Sequence, residues 1–205
     1  MDRLLIASSN RGKLLEIQAL LSGTEIQLVT PGDLGLNLDV PETGSTYAEN
    51  AARKARAYAR ATQLLTLADD SGLEVAVLGG EPGLHSARYL SQPQATDADR
   101  RAYLLQKLRD HPRPWSARFR CIVALALPAG DSQPEIRFAE GICPGEIIPE
   151  ERGHGGFGYD PIFLFPGLQR TMAELSMEEK NQVSHRARAV RAIRPILQAI
   201  LEDRA

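Results

Sequence analysis

Leu4-Leu-Ile-Ala-Ser-Ser-Asn-Arg-Gly-Lys-Leu-Leu-Glu-Ile-Gln-Ala-Leu-Leu21 lies just inside the N-terminus and decides the fold class. An apolar run over Leu4–Ala7 meets a short polar loop that begins Ser8-Ser9-Asn10 and includes Gly12 and Lys13. Leu14, Ile17 and Leu21 then recur at helical spacing. A strand feeding a helix N-terminus through such a loop makes an anion site, because backbone N–H groups and the helix dipole converge there. It is not a Walker P-loop. That pattern needs a first glycine for its tight turn and a hydroxyl after the lysine to hold a metal ion, and Ala7 and Leu14 occupy those places.

Working outward, Glu25–Val29 alternates like a strand, and a Pro/Gly loop follows from Pro31 to Ser45. Thr46-Tyr-Ala-Glu49 is a capping box that opens a helix to about Ala61. Leu64–Ala68 is an apolar strand that stops at Asp69-Asp70-Ser71-Gly72, and Leu73–Leu78 reads as another. Thr96 caps a helix to about Arg109. Arg118–Leu127 and Ile136–Ile148 are expected to pair as a hairpin. The glycine-rich segment Gly153–Pro161 leads into Ile162–Phe165. Ser176-Met-Glu-Glu179 is a further capping box, and a last helix begins at Ser184, with Pro195 expected to kink it or start a new segment. Strands alternating with helices around a central hairpin predict an α/β protein with a mixed sheet.

The 205 residues, 43% of them hydrophobic, suffice for one large domain or two lobes. A net charge of −2 and a pI near 6.1 give no bulk attraction to nucleic acid. Cys121 and Cys143 form no C-x-x-C pair and are read as reduced core residues, which fits a cytoplasmic protein. The four apolar residues before Ser8 are too few for a signal peptide, and no window has transmembrane length, so no membrane partner is expected.

Several residues point to chemistry. Lys54 puts a charge inside the apolar stripe of Tyr47, Ala51 and Tyr58, so its amine either snorkels to the rim or aims at a phosphate. Asp69 and Asp70 end an apolar strand, where ligands collect in open α/β sheets; with Ser71 and Gly72 they also read as a polar turn. Together with Glu42 they could hold Mg2+, which takes one or two carboxylates plus waters and phosphate oxygens. In Gly155-Gly-Phe-Gly-Tyr-Asp-Pro161 the aromatics are either plugs under a loop or a stacking face for a base, with Asp160 as an acceptor. Ser184-His185-Arg186 sets cations at a helix start, against the dipole, which requires an acceptor nearby. His85, His111 and His154 lack metal-ligand spacing, and no motif suggests a covalent nucleophile.

In this order the motifs resemble the inosine/xanthosine triphosphate pyrophosphatase family almost end to end. The resemblance rests on Ser9-Asn10-Arg11-Gly12-Lys13 with Glu16, Glu42-Thr43-Gly44, Glu49-Asn50-Ala51 with Lys54-Ala55-Arg56, Ala68-Asp-Asp-Ser-Gly72, Pro82-Gly83, Ser86-Ala-Arg-Tyr89, Gly155–Pro161 and Ser184-His-Arg186. It implies a single domain over 1–205, with an elongated mixed β-sheet, flanking helices and two lobes around a central nucleotide cleft, usually as a homodimer. It implies hydrolysis of XTP, ITP and dITP to monophosphate and pyrophosphate with Mg2+ as cofactor. By resemblance Asn10, Lys13 and Lys54 hold the triphosphate, with Ser8, Ser9 and Ser71 beside them. Glu42, Asp69 and Asp70 bind the metal, and Asp70 activates the attacking water. Phe157, flanked by Gly158 and Tyr159, stacks on the purine, while Asp160, Lys180, His185 and Arg186 read its edge. Two other readings are a non-catalytic purine nucleotide sensor and a pyrophosphatase for modified pyrimidine nucleotides. The full carboxylate set argues against the first, and the Gly-Phe-Gly-Tyr-Asp and Ser-His-Arg combination against the second.

Overall fold

A computed structural model of the chain describes residues 2–92, 94–130 and 132–203. The opening stretch folds into β1 (Arg3–Ile6) and α1 (Arg11–Leu20). The helix starts earlier than its apolar periodicity suggests because Asn10 caps it, its Oδ1 accepting the Lys13 backbone N–H at 3.1 Å. Gly12 and Lys13 therefore lie in the first turn rather than in the loop.

Next come β2 (Gln27–Val29), α2 (Tyr47–Thr62) and β3 (Leu65–Val75). β1 pairs in parallel with both β2 and β3, as strand–helix–strand crossovers require. At the start of α2, Thr46 accepts the Glu49 N–H at 3.1 Å. The Glu49 carboxylate, however, turns to the backbone N–H and hydroxyl of Ser45, at 2.8 and 3.1 Å, so the expected box closes one residue early.

β3 overturns one expectation. It runs straight through Asp69-Asp70-Ser71-Gly72, where the sequence suggests a strand end and a polar turn. Turn chemistry loses because both aspartates find partners for their carboxylates while remaining extended. The expected strand Leu73–Leu78 is the end of this same β3, which stops at Val75 and passes into a short 3₁₀ turn, Ala76–Leu78.

α3 (Asp97–Leu108) carries a complete Thr96–Asp99 capping box. β4 (Trp115–Leu127) and β5 (Glu135–Ile147) are sheet neighbours, as the expected hairpin requires. β6 (Phe163–Phe165) is antiparallel to β5, and β7 (Arg170–Thr171) to β6. α4 (Met177–Val183) and α5 (His185–Glu202) complete the chain, and α5 continues through Pro195 rather than restarting there. The sheet is mixed, with strand order β2-β1-β3-β4-β5-β6-β7.

The chain divides into two compact units, the first from residues 1–70, 121–141 and 186–205 and the second from 71–120 and 142–185. Each has its own apolar core. Leu4, Ile6, Ile17, Leu67, Val123 and Ile193 belong to that of the first unit, and Leu73, Leu104, Trp115, Phe119, Ile162 and Phe163 to that of the second. Both cysteines are buried thiols, as expected. Among the described residues no helix is long and apolar enough to cross a membrane.

Candidate active site

In the first unit, β3 carries Asp69 and Asp70, α1 presents Lys13 and Glu16, α2 presents Asn50 and Lys54, and the first turn of α5 presents Arg186. Asp69 is 2% exposed. Its Oδ2 accepts from the Lys13 ammonium at 3.1 Å and from Nε and Nη2 of Arg186, both at 3.2 Å. Arg186, itself 1% exposed, gives Nη1 to Glu16. Burial pushes the Asp69 carboxyl up, but Lys13, Arg186 and Lys54 outweigh it and hold the group well below the usual carboxylate range. Glu16 and Asp69 are thus the acceptors that a cation at a helix start demands. Cys121 Sγ lies 3.8 Å from Asp69 Oδ2, and burial, reinforced by that carboxylate, pushes its thiol up to about 12, so it stays an unreactive neighbour.

Asp70 is built differently. Its Oδ2 accepts from Asn50 Nδ2 at 3.0 Å. Burial pushes its pKa up, and although Lys54 and Lys13 pull it down, it stays above the ordinary aspartate value, with the Glu42 charge adding to the rise. Asn50 is fixed in turn, its Oδ1 accepting the Gly44 N–H at 2.7 Å. A Cβ on Gly44 would stand 2.7 Å from that oxygen and 2.8 Å from Glu49 Cβ, so only glycine permits the approach.

Lys54 neither hides nor points outward. Its Nζ donates to Glu42 Oε1 at 2.8 Å and to the Asp69 carbonyl. Burial works against its charge, but Asp69, Asp70 and Glu42 outweigh that and raise it above the usual lysine value. In the anion loop, Ser8 Oγ accepts the Asn10 N–H at 3.2 Å. Ser8 and Ser9 also line a cavity of about 540 Å³ with Leu14, Leu38 and Tyr58.

Among the described residues no group of three His, Cys, Asp or Glu side chains is arranged to hold a metal ion by itself. The donors present still suit Mg2+, which needs only one or two carboxylates when substrate phosphate and water complete its shell. Glu42 and Asp70 sit close enough for the charge of one to raise the pKa of the other. Asp69 Oδ1 is buried without a hydrogen-bond partner, whereas Oδ2 is committed to Lys13 and Arg186.

The second unit holds the glycine-aromatic loop. Gly153, Gly156 and Gly158 adopt φ of +82°, +72° and +62°. A Cβ on Gly156 would meet Asp160 Oδ2 at 2.0 Å. That carboxylate, on a residue 3% exposed, accepts the Phe157 N–H at 2.9 Å and the Lys180 ammonium at 2.6 Å. The same ammonium sits 4.9 Å from the centroid of the Phe157 ring. Of the two aromatics, Tyr159 is a buried plug whose hydroxyl donates to the Ser86 carbonyl at 2.9 Å, while Phe157 keeps part of its surface in solvent. Ser71, the first residue of this unit, is half-buried on β3.

The Ser184-His-Arg186 motif packs inward. The His185 ring is buried and stacked on Phe119, with centroids 4.7 Å apart and planes 12° apart. The Arg186 guanidinium is occupied by Asp69 and Glu16. Both side chains lie in the interior, His185 against an aromatic ring and Arg186 between two carboxylates. Sequence reasoning assigned no role to Glu16 or Asn50. For Asn50 the available signal was that of Lys54, a polar residue at a position where the helix periodicity asks for an apolar one; Glu16 lies off the Leu14, Ile17 and Leu21 stripe and carried no such signal.

The Ham1 family model matches residues 4–196. The chain is 45% identical over 196 residues to a dITP/XTP pyrophosphatase of Desulforamulus reducens, covering 95% of each. It is 46% identical over 202 residues to a dITP/XTP pyrophosphatase of Xylella fastidiosa, covering 98% of this chain and 100% of the relative. Among solved structures, a HAM1 protein from Coxiella burnetii matches with a TM-score of 0.86 at 42% identity, covering 97% of this chain and 100% of the other.

Proposed function

This chain belongs to the Ham1 family, and from that premise we propose that it is a dITP/XTP pyrophosphatase. It hydrolyses XTP, ITP and dITP to the monophosphate and pyrophosphate. The observation that carries the reading is Asp70, a buried carboxylate fixed by Asn50, raised in pKa and set beside Lys54 and Lys13. A buried carboxylate of raised pKa suits a group that orients and deprotonates water. Hydrolysis between the α and β phosphates expels a polyanion, so cations are needed on the leaving group, and Lys13 and Lys54 supply them together with the capped start of α1 behind Ser8, Ser9 and Asn10. Glu42 and Asp70 would hold Mg2+, with Asp69 Oδ1 within the same cluster. When bound, the ion supplies charge neutralisation on the phosphates. Arg186 acts through Asp69, keeping it ionised and fixed.

Base selection belongs to the second unit. Phe157 offers the stacking face, and Gly156 and Gly158 let the backbone turn around it. Lys180 is a donor-only group: it pairs with the 6-carbonyl of inosine or xanthosine and meets the 6-amino group of adenosine donor to donor. Such a mismatch at a buried polar site costs on the order of 10⁴-fold in specificity. Asp160 fixes Lys180 and the Phe157 backbone, and Tyr159 and His185 back the loop and the helix start. We assign the protein to the cytoplasm as a homodimer, in keeping with the resemblance.

The test is a substrate panel with Mg2+ and XTP, ITP, dITP, dUTP, GTP or ATP, with products identified. Turnover of the first three to monophosphate and pyrophosphate, with ATP slower by at least about 10²-fold, is expected. A preference for dUTP would favour the pyrimidine enzyme, and binding without turnover the sensor.

A further inference from the structure

Asp97, Arg100 and Arg101 lie at i, i+3 and i+4 on α3 and share one face of it. From that face two side chains take both polar groups of a single residue in the aromatic loop. Asp97 Oδ2 accepts the Gly158 N–H at 2.7 Å, and Arg101 Nη1 donates to the Gly158 carbonyl at 2.8 Å. Each is itself aimed. Arg100 Nη2 donates to Asp97 Oδ1 at 2.6 Å. Arg101 makes a two-pronged pair with Glu151, Nε to Oε1 and Nη2 to Oε2, both at 2.8 Å. The planar guanidinium makes this possible, since one fork grips Glu151 while the remaining nitrogen reaches the carbonyl.

Asp97 and Glu151 are partly in solvent, with side chains 42% and 46% exposed, so these ion pairs add little to global stability. Their place in the loop gives them another consequence. Gly158 follows Phe157 directly and sits at φ +62°, outside any regular ladder. Asp160 and Lys180 hold Phe157, and α3 holds the next residue. We infer that Asp97, Arg101 and Glu151 are positioning residues that pre-orient the Phe157 ring for a purine, which makes them determinants of KM rather than of the chemical step. A ring already in place loses less ordering entropy on binding. The inference rests on the proposed function for the nature of what stacks there.

The test compares Arg101→Met, Asp97→Ala and Asp97→Asn with wild type and with Phe157→Ala, which sets the ceiling. Arg101→Met and Asp97→Ala raise KM for XTP about fivefold to tenfold, short of the full loss of stacking in Phe157→Ala, while kcat and Tm stay at wild-type values. Asp97→Asn, which keeps an acceptor for the Gly158 N–H, restores the wild-type KM. Hydrogen exchange at the Gly158 amide, slow in wild type, quickens about tenfold or more in Arg101→Met. Unchanged KM in both disruptive variants, or a rise in KM accompanied by a fall in kcat and Tm, overturns the inference, as does unchanged exchange. A wild-type enzyme inactive on both XTP and ITP refutes the proposed function and the purine platform with it, an outcome visible before any variant is compared.

Discussion

Asp70→Asn lowers kcat by about 10²-fold to 10⁴-fold, the range a positioned acid–base group supplies, while the Kd for XTP changes little. The substitution is nearly isosteric, and the new amide oxygen still accepts from Asn50 Nδ2, so the strand and its neighbours have no cause to move. What disappears is the ability to take a proton, together with the carboxylate charge that would help Glu42 hold Mg2+. Because the Asp70 pKa is raised in the fold, activity falls as pH drops through a value above the ordinary aspartate range, and the residual rate of the variant lacks that limb. The linkage has a second consequence. A carboxyl whose folded pKa exceeds its unfolded one contributes stability below the unfolded value and loses it as pH rises through the folded value, so ionised Asp70 strains the fold at neutral pH. Asp70→Asn therefore unfolds at the wild-type temperature or above it. Steady-state kinetics, calorimetric binding and thermal unfolding check this together, and near-normal turnover would remove Asp70 from the mechanism.

The largest effect on stability comes from Arg186→Met, which costs about 3–5 kcal/mol. Methionine fills much of the same volume, so the loss is electrostatic: Glu16, at 2% exposure, keeps its charge without its guanidinium, and Asp69 keeps only Lys13 and Lys54. Breaking one partner of a buried pair is far worse than replacing the whole group, and Glu16→Gln combined with Arg186→Met should recover a substantial part of the loss. The pH dependence follows from the sign of the Asp69 shift. Its folded pKa lies below the ordinary 3.8, so its stabilisation is complete above that value and fades as pH falls through the folded one. In Arg186→Met the Asp69 pKa rises, and the gap between variant and wild type narrows in acid. Chemical denaturation of the single and double variants at neutral and acid pH measures both effects. A single variant as stable as wild type would show that the network does not hold the strand.

The fold was legible where local chemistry and periodicity agree. Thr96 caps α3 and Ser176 closes a capping box where expected, and the apolar runs around Leu4, Leu65 and Val123 became neighbouring strands. It was illegible at Asp69–Gly72, because local turn propensity gives no hint that Lys13 and Arg186, distant in sequence, neutralise one aspartate while Asn50 holds the other. The site shows the same division. Lys54 and Phe157 stood out as residues at odds with their local pattern, and the structure gives each a specific setting. Arg186 was visible as a cation at a helix start, yet its partners lie 117 and 170 residues away in the chain, beyond any spacing argument. The Gly158 grip from α3 was hidden for the same reason, although Asp97, Arg100 and Arg101 already shared one helix face.

The central claim is that water attacks the α phosphorus under the control of Asp70. Hydrolysis of XTP in ¹⁸O-labelled water, with mass analysis of both products, tests it directly. The account predicts the label in the monophosphate and none in pyrophosphate; label in pyrophosphate, or release of single phosphates, would contradict it.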